Sequence, residues 1–162
     1  MLKKQHLHHL ILLIPFVFLL LVSGCAEEEE EIEPTFTSLW DNVFSGCGIS
    51  CHSANATDGS ENGPHLDSKS NFYNNLTGKS AADYTNWVKT VGNCDNVSFI
   101  TAGNANQSTL AASLILSVSD NLKASDSCDS SYSFHAPTSD IITDADIQTA
   151  LIQWINDGAA NN

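Results

Sequence analysis

Apolar residues recur at helical spacing in short stretches of this chain, and polar residues fill the connections between them. The first stretch begins after Thr35 or Thr37, either of which can cap a helix, and Gly46 can end it. Its apolar positions follow an i, i+3, i+4, i+7, i+8 pattern, which predicts one buried helix face. The residues on that face are Phe36, Leu39, Trp40, Val43 and Phe44.

Four further stretches repeat this period, and capping boxes open two of them. Together the five stretches predict an all-α fold of about five short helices, with loops over 53–63 and 120–133 and no convincing strand. Such short helices are individually marginal, so a large apolar cofactor at their centre would stabilise the domain. The four apolar faces are Phe72, Tyr73 and Leu76 within Ser68 to Leu76; Tyr84, Trp87, Val88 and Val91 after a capping box at Ser80; Leu110, Leu114, Ile115 and Val118 within Ser108 to Val118; and Ile147, Ala150, Leu151, Trp154 and Ile155 between a capping box at Thr143 and a stop at Gly158.

The N-terminal segment is typical of an export signal rather than of a folded element. Lys3 and Lys4 precede an apolar run over 10–22, and small residues lead to Cys25. The run is short for a membrane span, although an uncleaved membrane anchor is the alternative. The ending Leu-Val-Ser-Gly-Cys resembles a bacterial lipobox, which implies a signal peptide over 1–24 and acylation of Cys25.

An acidic stretch follows Cys25 and predicts a solvated tether over 25–34. It contains Glu27 to Glu31, Glu33 and Pro34. The stretch serves either as a plain spacer or as a sorting signal, because it resembles the surface-export signal of Bacteroidota lipoproteins. In both cases we expect the protein to be anchored by lipid at the periplasmic face of a membrane or at the cell surface, with one folded domain over 35–162.

The charge of the chain excludes one class of partner. Its 162 residues include 19 acidic residues and 6 lysines or arginines, for a formal net charge of −13. Removal of Lys3 and Lys4 with the signal makes the exported chain more acidic still. Nucleic-acid binding needs a basic face, so no nucleic-acid partner is expected.

The residues with the clearest chemical signal lie at the end of the first predicted helix. Cys47 and Cys51 are followed at once by His52, the arrangement that attaches haem c covalently through two thioethers and binds its iron through the histidine. Three residues separate the cysteines here instead of the common two, and Gly48 gives the backbone freedom to absorb the extra one. The alternative is a Cys47–Cys51 disulfide, whereas a zinc site would need tighter pairs of ligands.

The chain resembles small monohaem c-type cytochromes, especially exported lipoprotein forms, over most of residues 35–160. The resemblance rests on an aromatic helix leading into the haem motif, a middle segment with Leu66, Tyr73 and Leu76, and a final helix ending Trp154-Ile155-Asn156-Asp157-Gly158-Ala159. It implies an all-α bundle whose first and last helices pack together beside one covalent haem. It also implies single-electron transfer to a redox partner, here one with a basic docking surface.

The second axial ligand to the iron is predicted from an absence in the sequence. Many members of this family place a Met-Pro element before the last helix, but the only methionine here is Met1. The corresponding stretch contains His135, two residues before Pro137, and His135 is therefore the predicted distal ligand. His65 is the competing ligand, and an open site is the third alternative. Bis-His ligation predicts a lower reduction potential than Met/His ligation.

The remaining two cysteines, Cys94 and Cys128, predict a disulfide in an oxidising compartment, although two free thiols are the alternative. The sequence shows no acid–base pair, catalytic triad order or phosphate-binding glycine loop, so an electron-transfer protein is favoured over an enzyme. Two other functions stay open at this point. One is a non-redox surface lipoprotein module, and the other is a haem protein with an open site for small-ligand sensing or peroxidase-like chemistry.

Overall fold

The computed structural model describes residues 32–50, 52–55, 62–84, 93–125, 128 and 139–162. They belong to one compact unit that spans Ile32–Asn162. These ranges are helical and hold no β-strand, only two isolated bridges, Thr77 with Ile100 and Ser80 with Ser98. The predicted all-α class is therefore confirmed for the described part of the chain. Ile32, at the start of this unit, packs against the core.

The first helical segment has three consecutive parts. An α-helix at Phe36–Leu39 (α1) runs into a π-helix at Trp40–Phe44, and an α-helix at Ser45–Ser50 (α2) follows. Thr35 caps α1 as predicted, since its side chain accepts a hydrogen bond from the Ser38 N–H at 3.2 Å. The prediction that Gly46 ends the helix is wrong. Gly46 lies inside α2, where a single glycine costs stability but does not break the ladder of hydrogen bonds.

The next helix, Lys69–Leu76 (α3), agrees with the second apolar stretch of the sequence. Ser68 caps it by accepting from the Asn71 N–H at 3.2 Å, and Phe72 and Leu76 are buried. The capping box at Ser80 is also present, but within the described residues it opens only the short 3₁₀-helix Ala81–Asp83. The predicted continuation with Trp87, Val88 and Val91 lies outside the described residues.

The stretch predicted as one helix over 108–118 is two helices, Thr109–Leu114 (α4) and Leu116–Ala124 (α5). The helix is interrupted at Ile115, whose backbone is extended, with a φ of −130° and a ψ of 117°. The Asp140 carboxylate accepts from the Leu116 N–H at 2.6 Å, and the Ile141 N–H donates to the Leu114 carbonyl at 3.0 Å. A distant segment thus takes the hydrogen bonds that a continuous helix would form. Burial of Leu122 extends α5 into the predicted loop.

The last helix, Ala145–Asn156 (α6), is capped by Asp144 rather than Thr143. The Asp144 carboxylate accepts from the main-chain N–H groups of Asp146 and Ile147 at 2.9 and 3.2 Å. Gly158 ends the helix as predicted, with a φ of 105° that favours glycine. Two further 3₁₀-helices, Asn93–Asn96 and Ala105–Gln107, complete the described elements.

Packed aromatic rings join the first helical segment to α3 and α6. Phe36 stacks on Trp154 with ring centroids 5.6 Å apart, and Phe44 stacks on Phe72 at 4.3 Å. All four side chains are buried, so we call them the aromatic cluster. Asn162 closes the same contact, because its carbonyl accepts from the Thr37 N–H at 2.9 Å. The first and last helices are therefore in direct contact.

Candidate haem-attachment site

The π-helix Trp40–Phe44 directly precedes the helix that carries Cys47. The Ser45 N–H donates to the Trp40 carbonyl, five residues back, where an α-helix would use a carbonyl four residues back. This wider turn changes the direction of every side chain after it, and single π-turns recur at functional sites. Cys47 is half-buried and packs against the core at this point.

A second wide turn spans the predicted attachment motif. The His52 N–H lies 3.4 Å from the Cys47 carbonyl, again five residues back. A motif with three residues between its cysteines has one residue more than the common form, and a bond to the fifth residue back closes a loop one residue wider than an α-turn. Cys51 lies outside the described residues.

The His52 side chain is buried, with 8% of its surface exposed. Its Nδ1 lies 3.3 Å from the Pro64 carbonyl oxygen, and its own carbonyl accepts from the Leu66 N–H at 2.7 Å. A carbonyl can only accept, so Nδ1 carries the ring proton when this hydrogen bond forms. Nε2 then holds the lone pair with which a neutral imidazole binds a metal. Metal-binding histidines characteristically donate their other ring N–H to a carbonyl or carboxylate in this way.

The segment over 64–66 that brackets His52 is itself held in place. Pro64 and Leu66 are buried, and the His65 carbonyl accepts from the Asn75 side-chain amide at 2.8 Å. The Tyr84 hydroxyl in turn donates to the Asn75 main-chain carbonyl at 3.0 Å. No local sequence pattern marks Pro64 and Asn75, because only the tertiary structure brings Pro64 to the His52 ring and Asn75 to the His65 carbonyl.

The two candidate distal ligands differ in what the structure describes. His65 is half-buried, and its main chain follows directly on the carbonyl that faces His52 Nδ1. The His65 main chain therefore starts beside Nδ1 of the His52 ring. His135 lies outside the described residues, as does the predicted lipidation site Cys25.

Cys94 and Cys128 are joined as a disulfide in the structure, with Cα atoms 4.5 Å apart. Both residues are buried in the core. Cys128 therefore fixes the chain shortly before His135, while the hydrogen bonds of Asp140 and Ile141 with the α4–α5 junction fix it shortly after.

The surface of the described residues is strongly acidic. Lys79 is the one exposed lysine in those ranges, whereas Lys69 and Lys123 are half-buried. The exposed acidic residues in the same ranges are Glu33, Asp41, Asp67, Asp83, Asp120, Asp144, Asp146 and Asp157. Burial raises the pKa of the Tyr84 hydroxyl above its usual value of 10.0, and the Asp83 carboxylate raises it further.

Comparison with known proteins leaves the site to be interpreted from its own geometry. No protein-family model matches the chain, and neither a curated protein nor a solved structure matches it. Within the described ranges, which omit Cys51 and His135, no group of three or more His, Cys, Asp or Glu side chains could hold a metal ion. No helix in those ranges is long and apolar enough to cross a membrane.

Proposed function

We propose that this protein is a c-type cytochrome that transfers single electrons through one covalently attached haem. The observation that carries the proposal is the environment of His52, which is buried and has its Nδ1 within hydrogen-bonding distance of the Pro64 carbonyl. Any buried imidazole needs a partner for its ring N–H, and a proximal ligand additionally requires the fixed ring and fixed tautomer that this contact provides.

The residues around the motif fit this group. Cys47 and Cys51 form the thioethers, and His52 binds the iron from the same turn. Bound haem supplies the one-electron redox chemistry, and the protein controls ligation, burial and access. The aromatic cluster packs the first helical segment against α3 and α6, and this packing supports the turn that carries Cys47.

His135 is the proposed distal ligand. His52 would hold the iron through Nε2, and a second histidine would supply the other protein ligand. The His65 main chain starts on the Nδ1 side, next to the Pro64 carbonyl, which counts against His65. Cys128 and Asp140, which precede and follow His135 in the sequence, are each bonded to other parts of the fold.

The acidic surface fits a redox partner with a basic docking face, because opposite charges steer encounter and speed association.

Acylation of Cys25 would tether the domain to a membrane through the acidic stretch over 25–34. Globomycin, which blocks the lipoprotein signal peptidase, should leave the 24-residue signal on the chain, and a Cys25→Ala chain should fail to take up labelled palmitate. Normal processing of both would contradict the lipoprotein assignment.

Covalent attachment tests the proposal most directly. The full chain is produced in a host with haem-attachment machinery, denatured, and treated with pyridine and dithionite, and the haem absorbance that stays with the polypeptide is measured. We expect one haem per chain, and loss of covalent haem when Cys47 and Cys51 are both replaced by alanine but not in Cys94→Ser, because each of the first two cysteines forms one thioether. A colourless wild-type chain with a Cys47–Cys51 disulfide in its mass spectrum would instead establish a non-redox lipoprotein module.

The distal ligand is tested by spectra of the reduced and oxidised protein. His135→Ala should convert the low-spin spectrum to a high-spin one and allow carbon monoxide to bind, while His65→Ala should leave the spectrum unchanged. The opposite result assigns the ligand to His65. Carbon monoxide binding by the wild-type protein would show an open site and favour small-ligand sensing or peroxidase-like chemistry.

A further inference from the structure

We propose that Asn75 is a positioning residue for the proximal ligand and acts on His52 through the main chain of residues 64–66. This inference rests on the proposed function, since it assigns a role in tuning the same haem iron. Asn75 does not contact the His52 ring in this scheme. It fixes the peptide units that do.

Asn75 occupies a rigid place in the fold. It lies in the last turn of α3, whose Phe72 and Leu76 are buried in the core. Its main-chain carbonyl is one of those left without a partner inside a helix, and the Tyr84 hydroxyl donates to it at 3.0 Å. The side-chain amide is therefore presented from a backbone held on two sides.

The Asn75 amide reaches the centre of the segment that brackets His52. Nδ2 donates to the His65 carbonyl at 2.8 Å. The carbonyl one residue earlier, that of Pro64, faces His52 Nδ1, and the N–H one residue later, that of Leu66, donates to the His52 carbonyl. Three successive residues are thus tied either to His52 or to Asn75, and the tie to Asn75 limits how far the other two can move.

The His52–Pro64 contact is sensitive to such movement. At 3.3 Å it is already longer than the usual 2.7–3.2 Å of an N–H···O bond. A ring N–H that donates to a carbonyl makes the imidazole a more basic ligand, which favours ferric over ferrous iron. Loss of the Asn75 amide should loosen the segment, lengthen this hydrogen bond, and raise the reduction potential.

Asn75→Ala tests the proposal, with Asn74→Ala as the matched control. Asn74 is the adjacent residue of the same helix, and its amide donates only to the exposed Ser70 hydroxyl at 3.2 Å. We expect Asn75→Ala to raise the potential measured by spectroelectrochemical titration and to speed solvent exchange of the His52 Nδ1–H in ¹⁵N-histidine-labelled protein. Asn74→Ala should change neither. Asn75→Asp, which points an acceptor at the His65 carbonyl, should shift both further in the same direction.

Two outcomes separate this inference from the proposed function. If the haem is attached but Asn75→Ala and Asn74→Ala share one potential and one Nδ1–H exchange rate, the role of Asn75 is refuted and the cytochrome assignment stands. If no haem is attached, that assignment fails, and faster Nδ1–H exchange in Asn75→Ala would still demonstrate the positioning of His52. Should Asn75→Ala not fold, Tyr84→Phe weakens the same chain of bonds and must show the same direction of shift.

Discussion

Replacement of Phe36 by alanine should be among the most destabilising single changes in this protein. Phe36 is fully buried where α1 meets α3 and α6, and its ring also lies 5.4 Å below the Lys69 ammonium. Truncation of a buried phenylalanine costs about 3–5 kcal/mol, and more where the surroundings cannot collapse into the cavity. The walls of this cavity are themselves aromatic rings held by separate elements. The rings within 6.5 Å of Phe36 are those of Trp40, Phe44, Phe72, Tyr73 and Trp154.

We therefore expect Phe36→Ala to lower the free energy of unfolding by about 4 kcal/mol. Phe36→Leu keeps most of the volume and loses mainly the aromatic pair energy, so we expect a loss of about 1–2 kcal/mol. Urea denaturation followed by tryptophan fluorescence measures both, with the m-value checked for constancy. A loss below about 1 kcal/mol for Phe36→Ala at unchanged m would refute the claim that this ring occupies a rigid centre of the core.

Three further predictions use the same denaturation assay. Asn162→Ala removes the side-chain oxygen that accepts from the first N–H of α1 at 2.9 Å; it should cost about 1 kcal/mol, as a lost helix cap does, whereas Asn161→Ala should cost nothing measurable. Joint replacement of Cys94 and Cys128 by serine opens a loop with a sequence separation of 34 and should cost about 4 kcal/mol; equal stability of the reduced and oxidised wild-type protein would contradict this. The fold raises the pKa of Tyr84, so the protonated hydroxyl contributes its full share of the folding stability below the unfolded pKa of 10.0, and this share is lost as pH rises through the folded pKa. Tyr84→Phe should therefore flatten the fall in stability above pH 10. Parallel curves of stability against pH for the two proteins would contradict this prediction.

Local signals in the sequence predicted much of the helical framework. Thr35 caps the first helix, and Gly158 ends the last one. These features depend on residues within four or five positions of one another, and the sequence displays such spacing directly. The apolar faces around Phe72 and Trp154 are buried for the same reason, since helical period alone determines which side chains share a face.

Two of the departures from prediction depend on contacts with residues that are distant in the chain. The helix predicted over 108–118 breaks at Ile115 because Asp140 takes the Leu116 N–H, and no pattern within 108–118 contains that information. α5 continues past Asp120 because Leu122 finds a place in the core. The π-turn before Cys47 likewise escapes a period of 3.6 residues, which assumes that every turn has the same width.

The sequence by itself determined the chemistry that the chain can offer: two cysteines followed by a histidine, no internal methionine, and a strong excess of acidic residues. Composition and spacing are properties of the chain alone, so these conclusions needed no coordinates. Only the tertiary structure decided how His52 is held, because the Pro64 carbonyl and the Asn75 amide lie 12 and 23 residues away along the chain. A hydrogen bond depends on distances of a few tenths of an ångström, and packing of the whole core sets those distances.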